Sequence, residues 1–343
     1  MYNIQLLNKI AKCGTQIFDE NYTVSDAVTA PDGIMVRSAA MHDMEFGKEL
    51  LAIARAGAGV NNIPLDKCSE QGIVVFNTPG ANANAVKELA VCALLLASRK
   101  IVDGINWAST LTEDVAKAVE KGKSAFVGPE IAGKTLGIIG LGAIGAQLAN
   151  TAVHLGMNVY GYDPFITVDA AWRLSKSVKH AKALDDIFAN CDYISVHVPS
   201  TPDTKGMINE KSISAMKDGV RILNLARADL VVAADVKKAL ESGKVASYVT
   251  DFPTEEVIGV PGIIAIPHLG ASTPESEDNC AVMAAEELKT YIETGNIKNS
   301  VNFPEAFIPY SGLKRIAVFH KNVPSMLAQI SSALSDSNIN IAN

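Results

Sequence analysis

The chain has little of the chemistry that builds metal centres or disulfide frameworks. Five cysteines, Cys13, Cys68, Cys92, Cys191 and Cys280, are spread through 343 residues with no CxxC pair. Neither a metal site nor a disulfide scaffold is therefore expected, and a reducing, cytoplasmic setting suits the composition. Long apolar runs are missing as well. The longest, Leu89 to Ala97, has nine residues, against roughly 20 for a membrane-spanning helix. The N-terminus MYNIQLLNKIAK has no apolar block of the kind a secretory signal needs, so no membrane association is expected. Nor is there an excess of positive charge. Net charge is −7 with Lys and Arg scattered, which leaves no basic stripe for a nucleic acid to follow. A small molecule is the expected partner.

What is present is the material of a globular α/β protein: 48% hydrophobic and 20% charged residues, in a length that suits two domains. From Ala132 to about Ala265, KTLGIIG, NVYGYD, YISVHVP, GVRILNLA, VASYVTD and GIIAIPH read as strands. AIGAQLANTAVHLG, LDDIFANC and AADVKKALESG read as helices between them. This is the grammar of a doubly wound parallel sheet buried on both faces. The first hundred residues repeat it, with GIMVRSA and LLAIARAGAG as strands and MEFGKELL and NAVKELAVCALLLASRK as helices. The expected fold is α/β with two doubly wound parallel-sheet domains, a Rossmann nucleotide-binding domain (99–283) inserted into a smaller flavodoxin-like substrate domain (1–98 and 284–310). A helix from about Ala83 to Arg99 would cross between them, and one after Thr273 would cross back. The cleft between the domains would hold cofactor and substrate.

GLGAIG, Gly140 to Gly145, follows the strand TLGIIG directly and opens a helix, the context a dinucleotide motif requires. Gly140 permits the tight turn, Gly142 lets backbone approach a pyrophosphate, and Gly145 allows close packing of helix on strand. With Ala143 and Ile144, the helix N-terminus supplies free amides and a positive dipole end. A second strand ends at Asp163, 18 residues after Gly145, where a carboxylate can accept from a ribose diol and repel the extra phosphate of NADP. NAD is the expected cofactor.

Three ionisable residues fall at the C-terminal ends of strands, where open α/β sheets place their ligands. Arg227 follows VRILNLA, Glu255 lies in the loop after VASYVTD, and His268 closes GIIAIPH. Hydride transfer from a secondary alcohol needs a base for the hydroxyl proton, a cation for carboxylate and developing carbonyl, and an acid that raises the base's pKa. His268, Arg227 and Glu255 supply these in turn. In the first domain, RAGAGVNN repeats the strand-Gly-x-Gly layout, so amides at Ala58, Gly59 and Val60, with Asn61 beside them, suit an anionic group. Arg37 and Ser38 end one strand and Arg55 its neighbour, offering a phosphate two guanidiniums and a hydroxyl. His42 reads as a solvated histidine nearby.

The strings GLGAIG, HVPSTPDTKGMI, NLARADLV, DFPTEE and PHLGAST, together with RSAAM, RAGAGVNNI and TPGANANAVKELA, resemble the D-2-hydroxyacid dehydrogenases over nearly the whole chain. The resemblance implies NAD-dependent oxidation of a small D-2-hydroxy acid, here a phosphorylated one. It assigns Arg227, Glu255 (with Glu256 as the alternative) and His268 to the catalytic trio, and Asp251 to the nicotinamide carboxamide. The NAD site would comprise the Gly140–Gly145 loop, Asp163, His197, Val198, Pro199, Thr204, Ala226, His268 and Gly270. The substrate carboxylate would lie on the Ala58–Asn61 loop with Arg227. A homodimer through the nucleotide-binding domains, or a higher homo-oligomer, is also implied. One departure is Ala228, where the family usually has glycine after the arginine. Glyoxylate, hydroxypyruvate or D-lactate stay open as substrates. So does an NAD sensor acting through protein contacts, although such a protein has no need of the trio.

From Leu313 the chain resembles the start of an ACT domain. LKRIAVFHKN reads as a strand, VPSMLAQISSALSDSN as a helix with Met326, Leu327, Ile330 and Leu334 on one face, and INIAN as the start of another strand. A whole module needs about 45 residues in elements and about 20 in connections, and Leu313 to Asn343 supplies 31. A partial segment is expected, mobile or covered by a partner subunit, without a serine-binding effector site.

Overall fold

Two parallel sheets organise the computed structural model, which describes residues 1–312 and 315–340. The first contains β1 (Tyr2–Leu6), β2 (Tyr22–Ser25), β3 (Gly33–Val36), β4 (Ala52–Arg55) and β5 (Val74–Phe76) in the order β2-β1-β3-β4-β5. Helices α1 (Lys12–Thr15) and α2 (Leu65–Gln71) lie among its connections. Next come α3 (Ala83–Ser98), α4 (Ile101–Ala108) and α5 (Val115–Gly122). The second sheet contains β6 (Thr135–Ile139), β7 (Asn158–Tyr162), β8 (Val178–His180), β9 (Tyr193–Val196), β10 (Val220–Asn224), β11 (Val245–Thr250) and β12 (Ile263–Ala265) in the order β12-β11-β10-β9-β6-β7-β8. Between these strands run α6 (Ala143–His154), α7 (Val168–Trp172), α8 (Leu184–Asn190), α9 (Glu210–Ser214) and α10 (Ala233–Glu241); α11 (Pro274–Thr294) and α12 (Met326–Asp336) follow.

The strands that read as continuous apolar runs are buried along their whole length. GIMV in β3, VVF in β5 and YISV in β9 have no exposed position, as parallel strands covered on both faces require. All six strands expected in the second half form. β8 is an additional short edge strand, VKH, and its two exposed residues leave no apolar pattern to read. MEFGKELL is not a helix. Residues 44–51 are irregular apart from a turn at 48–49, with Leu50 buried and Leu51 exposed; with Gly47 inside, the segment is too short to repay helix nucleation.

Two helices link the halves. α3 buries Val86, Ala90, Ala93, Leu94 and Ala97 in the core of the second sheet. α11 buries Cys280, Ala281, Ala284, Ala285 and Leu288 in the core of the first. α3 thus packs on the second core from Val86 onward, and α11 on the first from Cys280 onward. Both sheets then present the C-terminal ends of β3, β4, β10 and β12 to one cleft. α4, α5 and the 3₁₀ turn Lys123–Phe126 form an arm with no buried residue, held by Trp107 against Phe126 at 5.2 Å.

In the tail, residues 315–323 carry no strand. A lone strand with no ladder to join cannot satisfy its backbone, and no ACT-like sheet forms among the described residues. α12 appears where expected, yet none of its residues is buried and Leu327 is 80% exposed. Leu313, Lys314 and residues 341–343 lie outside the described residues, and with them the start of the expected first strand and the end of INIAN. No helix among the described residues is long and apolar enough to cross a membrane.

Candidate active site

β6 runs into Gly140, whose φ of 93° lies in the region open to glycine. A Cβ there would stand 2.6 Å from the His197 carbonyl oxygen, and one on Gly145 would stand 1.9 Å from that of Gly140. Gly142 differs, because nothing lies within 4 Å of where its Cβ would be. The loop is therefore tight where helix meets strand and open where a diphosphate would lie. The first amides of α6 have no acceptor inside the helix, and its dipole end is positive. Asp163 is fixed over this loop, with Oδ2 accepting from Leu141 N at 2.8 Å and Oδ1 from Phe165 N at 2.9 Å. Each oxygen keeps a lone pair for a ribose diol.

The next strand end completes the wall. His197 shares a 2.8 Å hydrogen bond with Ser195 Oγ through Nε2, while its Nδ1 is buried without a partner. Burial pushes this imidazole down to about 4, so it is neutral at physiological pH. The Val198 side chain abuts Gly140. Thr204 Oγ1 donates to the Pro199 carbonyl at 2.6 Å and accepts from Thr201 N at 2.9 Å, shaping the loop between them. These residues fit a dinucleotide.

Arg227 and His268 line one cleft of about 570 Å³. Asn224, fully buried at the end of β10, fixes the backbone that carries Arg227. Its Oδ1 accepts from Ala226 N at 3.2 Å and Arg227 N at 3.4 Å, and its Nδ2 donates to the Arg227 carbonyl at 2.8 Å. The guanidinium donates to the Ala226 carbonyl at 2.7 Å and keeps its other donors. Ala228 starts a 3₁₀ turn and is not among the positive-φ residues, so alanine is accommodated where glycine is usual.

His268 has a φ of 51°, a conformation non-glycine residues rarely take and one that surrounding structure must impose. Asp251 imposes it. Only 2% exposed, it accepts from Leu269 N at 2.8 Å and Gly270 N at 3.0 Å, while His268 N donates to the Ile266 carbonyl at 2.9 Å. The imidazole packs edge-on to Phe252 at 4.9 Å. Glu255 is not brought to the cleft. It and Glu256 are exposed on a run of turns anchored by Val257, which is buried in the second core, and neither lines the cleft.

From the first sheet come Arg37, Ser38, Arg55, Ala58, Gly59 and Asn61. Val60 faces a separate outer groove with His42, whose Nε2 donates to the Asn61 carbonyl at 2.8 Å. The amides of Ala58, Gly59 and Val60 donate to no atom among the described residues. Asn8 Oδ1 accepts from the amides of Arg37, Ser38 and Ala39 at 2.9–3.1 Å and so shapes the loop after β3. Among the described residues, four cations line the cleft, Lys9, Arg37, Arg55 and Arg227. Glu277 is the one carboxylate among its described lining residues, paired with Arg37 at 2.8 Å. Arg55 Nε is buried without a partner; burial, reinforced by the charges of Arg37 and Arg227, holds this group below the usual arginine value.

Sequence reading missed Asn8, Lys9, Asn224, Phe252 and Glu277. Only Asn224 left a signal, as a polar side chain directly after the apolar pair Ile222–Leu223 in the strand VRILN.

A glycine loop at the head of one parallel sheet, and a cationic cleft with a histidine at a strand end, are the architecture of two-domain, dinucleotide-dependent enzymes. The chain belongs to the D-isomer specific 2-hydroxyacid dehydrogenase family, whose NAD-binding-domain model matches residues 91–270. The D-3-phosphoglycerate dehydrogenase of Bacillus subtilis (strain 168) is 34% identical over 282 residues, 80% of this chain and 52% of that protein. That of Haemophilus influenzae is 33% identical over 311 residues, 87% of this chain and 73% of that protein. The chain thus spans about half the length of the first of these relatives. The crystal structure of NAD+-bound 3-phosphoglycerate dehydrogenase from Entamoeba histolytica matches with a TM-score of 0.69 and 28% identity, covering 88% of this chain and 99% of that one.

Proposed function

We propose that the protein oxidises D-3-phosphoglycerate to 3-phosphohydroxypyruvate with NAD, the first step of serine biosynthesis. The observation that carries this reading is the charge of the cleft. Four cations against one carboxylate suit a ligand with an anion at each end, a carboxylate and a phosphate. The names of the family relatives support the same substrate.

The nicotinamide of bound NAD supplies the hydride acceptor. His268 takes the hydroxyl proton, and Arg227 engages the carboxylate and the developing carbonyl through its planar fork. The free amides of Ala58 and Gly59 receive the carboxylate, while Arg37, Ser38 and Arg55 take the phosphate. Asp163 accepts from the ribose diol and disfavours NADP.

The exposed arm of α4 and α5, with Ile105 62% exposed, supports a homodimer formed through the nucleotide-binding domain. Free cysteines suit the cytoplasm. Following NADH formation with D-3-phosphoglycerate, D-glycerate and D-lactate in parallel tests the substrate. D-3-Phosphoglycerate is expected to lead in kcat/KM by at least about 10²-fold, because a cleft built for a phosphate leaves its cations unpaired with the others. Equal values for D-lactate would reject the phosphate assignment.

A further inference from the structure

Arg37 is not free to wait for a ligand. Its Nη2 lies 2.8 Å from Glu277 Oε1, and the two side chains are 42% and 46% exposed. The pair joins elements remote in sequence, the end of β3 and the first turn of α11, and both partners line the cleft beside Lys9 and Arg55. An anion entering that end of the cleft meets a guanidinium that already has a carboxylate.

We propose that Glu277 is a specificity-determining residue that competes with the substrate's distal anion for Arg37 and so limits how tightly the cleft holds phosphate-bearing ligands. The proposal rests on the phosphate reading above. Ion pairs this exposed hold together weakly, so a phosphate can displace the carboxylate from Arg37. The displaced carboxylate remains attached to α11 as a like charge beside the phosphate, and that repulsion grows with the ligand's charge. A dianionic phosphate is opposed more strongly than a neutral hydroxymethyl group in the same place. The consequence is a cleft that rejects loosely held inorganic phosphate and releases a phosphorylated product.

Glu277 also has a purely helical reason to be acidic. It lies in the first turn of α11, where the helix dipole favours negative charge, and Glu275 shares that turn. Glu275 is exposed and does not line the cleft, which makes it the control.

The test compares wild type, E277Q and E275Q, each saturated with NADH, by calorimetric titration with inorganic phosphate, followed by steady-state oxidation of D-3-phosphoglycerate and D-glycerate. E277Q is expected to bind phosphate about 10-fold more tightly and to lower KM for D-3-phosphoglycerate by a similar factor, with a smaller change for D-glycerate. E275Q should stay within about twofold of wild type on both readouts. Unchanged or weaker phosphate binding by E277Q overturns the proposal, and so does an equal effect of E275Q. The titration needs no turnover. If another acid proves to be the substrate, phosphate binding still reports on Glu277; if neither wild type nor E277Q binds phosphate, the competition does not exist.

Discussion

His268 and Arg227 approach the cleft from different strands, and the glycine loop proposed for the dinucleotide is not among the residues that line that cleft with them. Their loss should therefore separate chemistry from cofactor binding. His268→Ala is expected to lower kcat by about 10²–10⁴-fold, the usual worth of a positioned proton acceptor, while the Kd for NADH, read by fluorescence titration, stays close to wild type. Activity within a few-fold of wild type would remove His268 from the proton path. Asp163→Ser removes the fixed charge over the proposed ribose site, so the ratio of kcat/KM for NAD to that for NADP should fall by about 10-fold or more. An unchanged ratio would put the ribose contact elsewhere. Single residues were legible where a charge followed a readable strand, as with Arg37, Arg55, Arg227 and His268. Asn8 and Asn224 were not, because their importance lies in which backbone amides pass within reach, a property of the fold and not of neighbouring letters.

At the scale of elements, the loop after β12 depends on one side chain from the end of β11. Asp251 accepts from both Leu269 N and Gly270 N and so holds the left-handed turn at His268. Replacing it by alanine leaves two amides without an acceptor and frees a strained residue. Asp251→Ala should lose about 2–4 kcal/mol of stability, read as a urea midpoint, and most of its turnover. Full stability with lost turnover would instead limit Asp251 to a ligand contact. Strands with an apolar run, such as TLGIIG and YISVHVP, were legible because burial on both faces leaves its mark in composition. β8, with two exposed residues among three, was not. Residues 315–323 show the converse, an apolar, β-rich string that pairs with no strand among the described residues. Periodicity reports what a segment would bury, and pairing is decided by the rest of the chain. For the same reason α3 was legible as a helix while its allegiance to the second core was not.

Across the whole molecule, two buried ionisable groups set opposite pH slopes on stability. Burial pushes His197 down to about 4 from an ordinary 6.5. The folded state refuses a proton that the unfolded chain accepts, so stability from this group is intact above pH 6.5 and is lost as pH falls toward 4. Glu287, in α11, is 8% exposed; its Oε1 accepts from Asn299 Nδ2 at 2.6 Å and its Oε2 is buried without a partner. Burial pushes it up to about 7 from an ordinary 4.5. Here the folded state keeps a proton that the unfolded chain releases, so the contribution is intact below pH 4.5 and is lost as pH rises to 7. Each window is worth about 3 kcal/mol. Between pH 4.5 and 6.5 the two overlap and cancel, which hides both in the wild-type curve. Removing one unmasks the other. Relative to wild type, His197→Gln should gain stability on acidification from pH 6.5 to 4.5, and Glu287→Gln should lose it over the same range. Urea midpoints at pH 7, 6 and 5 read the difference directly. Parallel curves for the three proteins would mean that burial shifts neither titration.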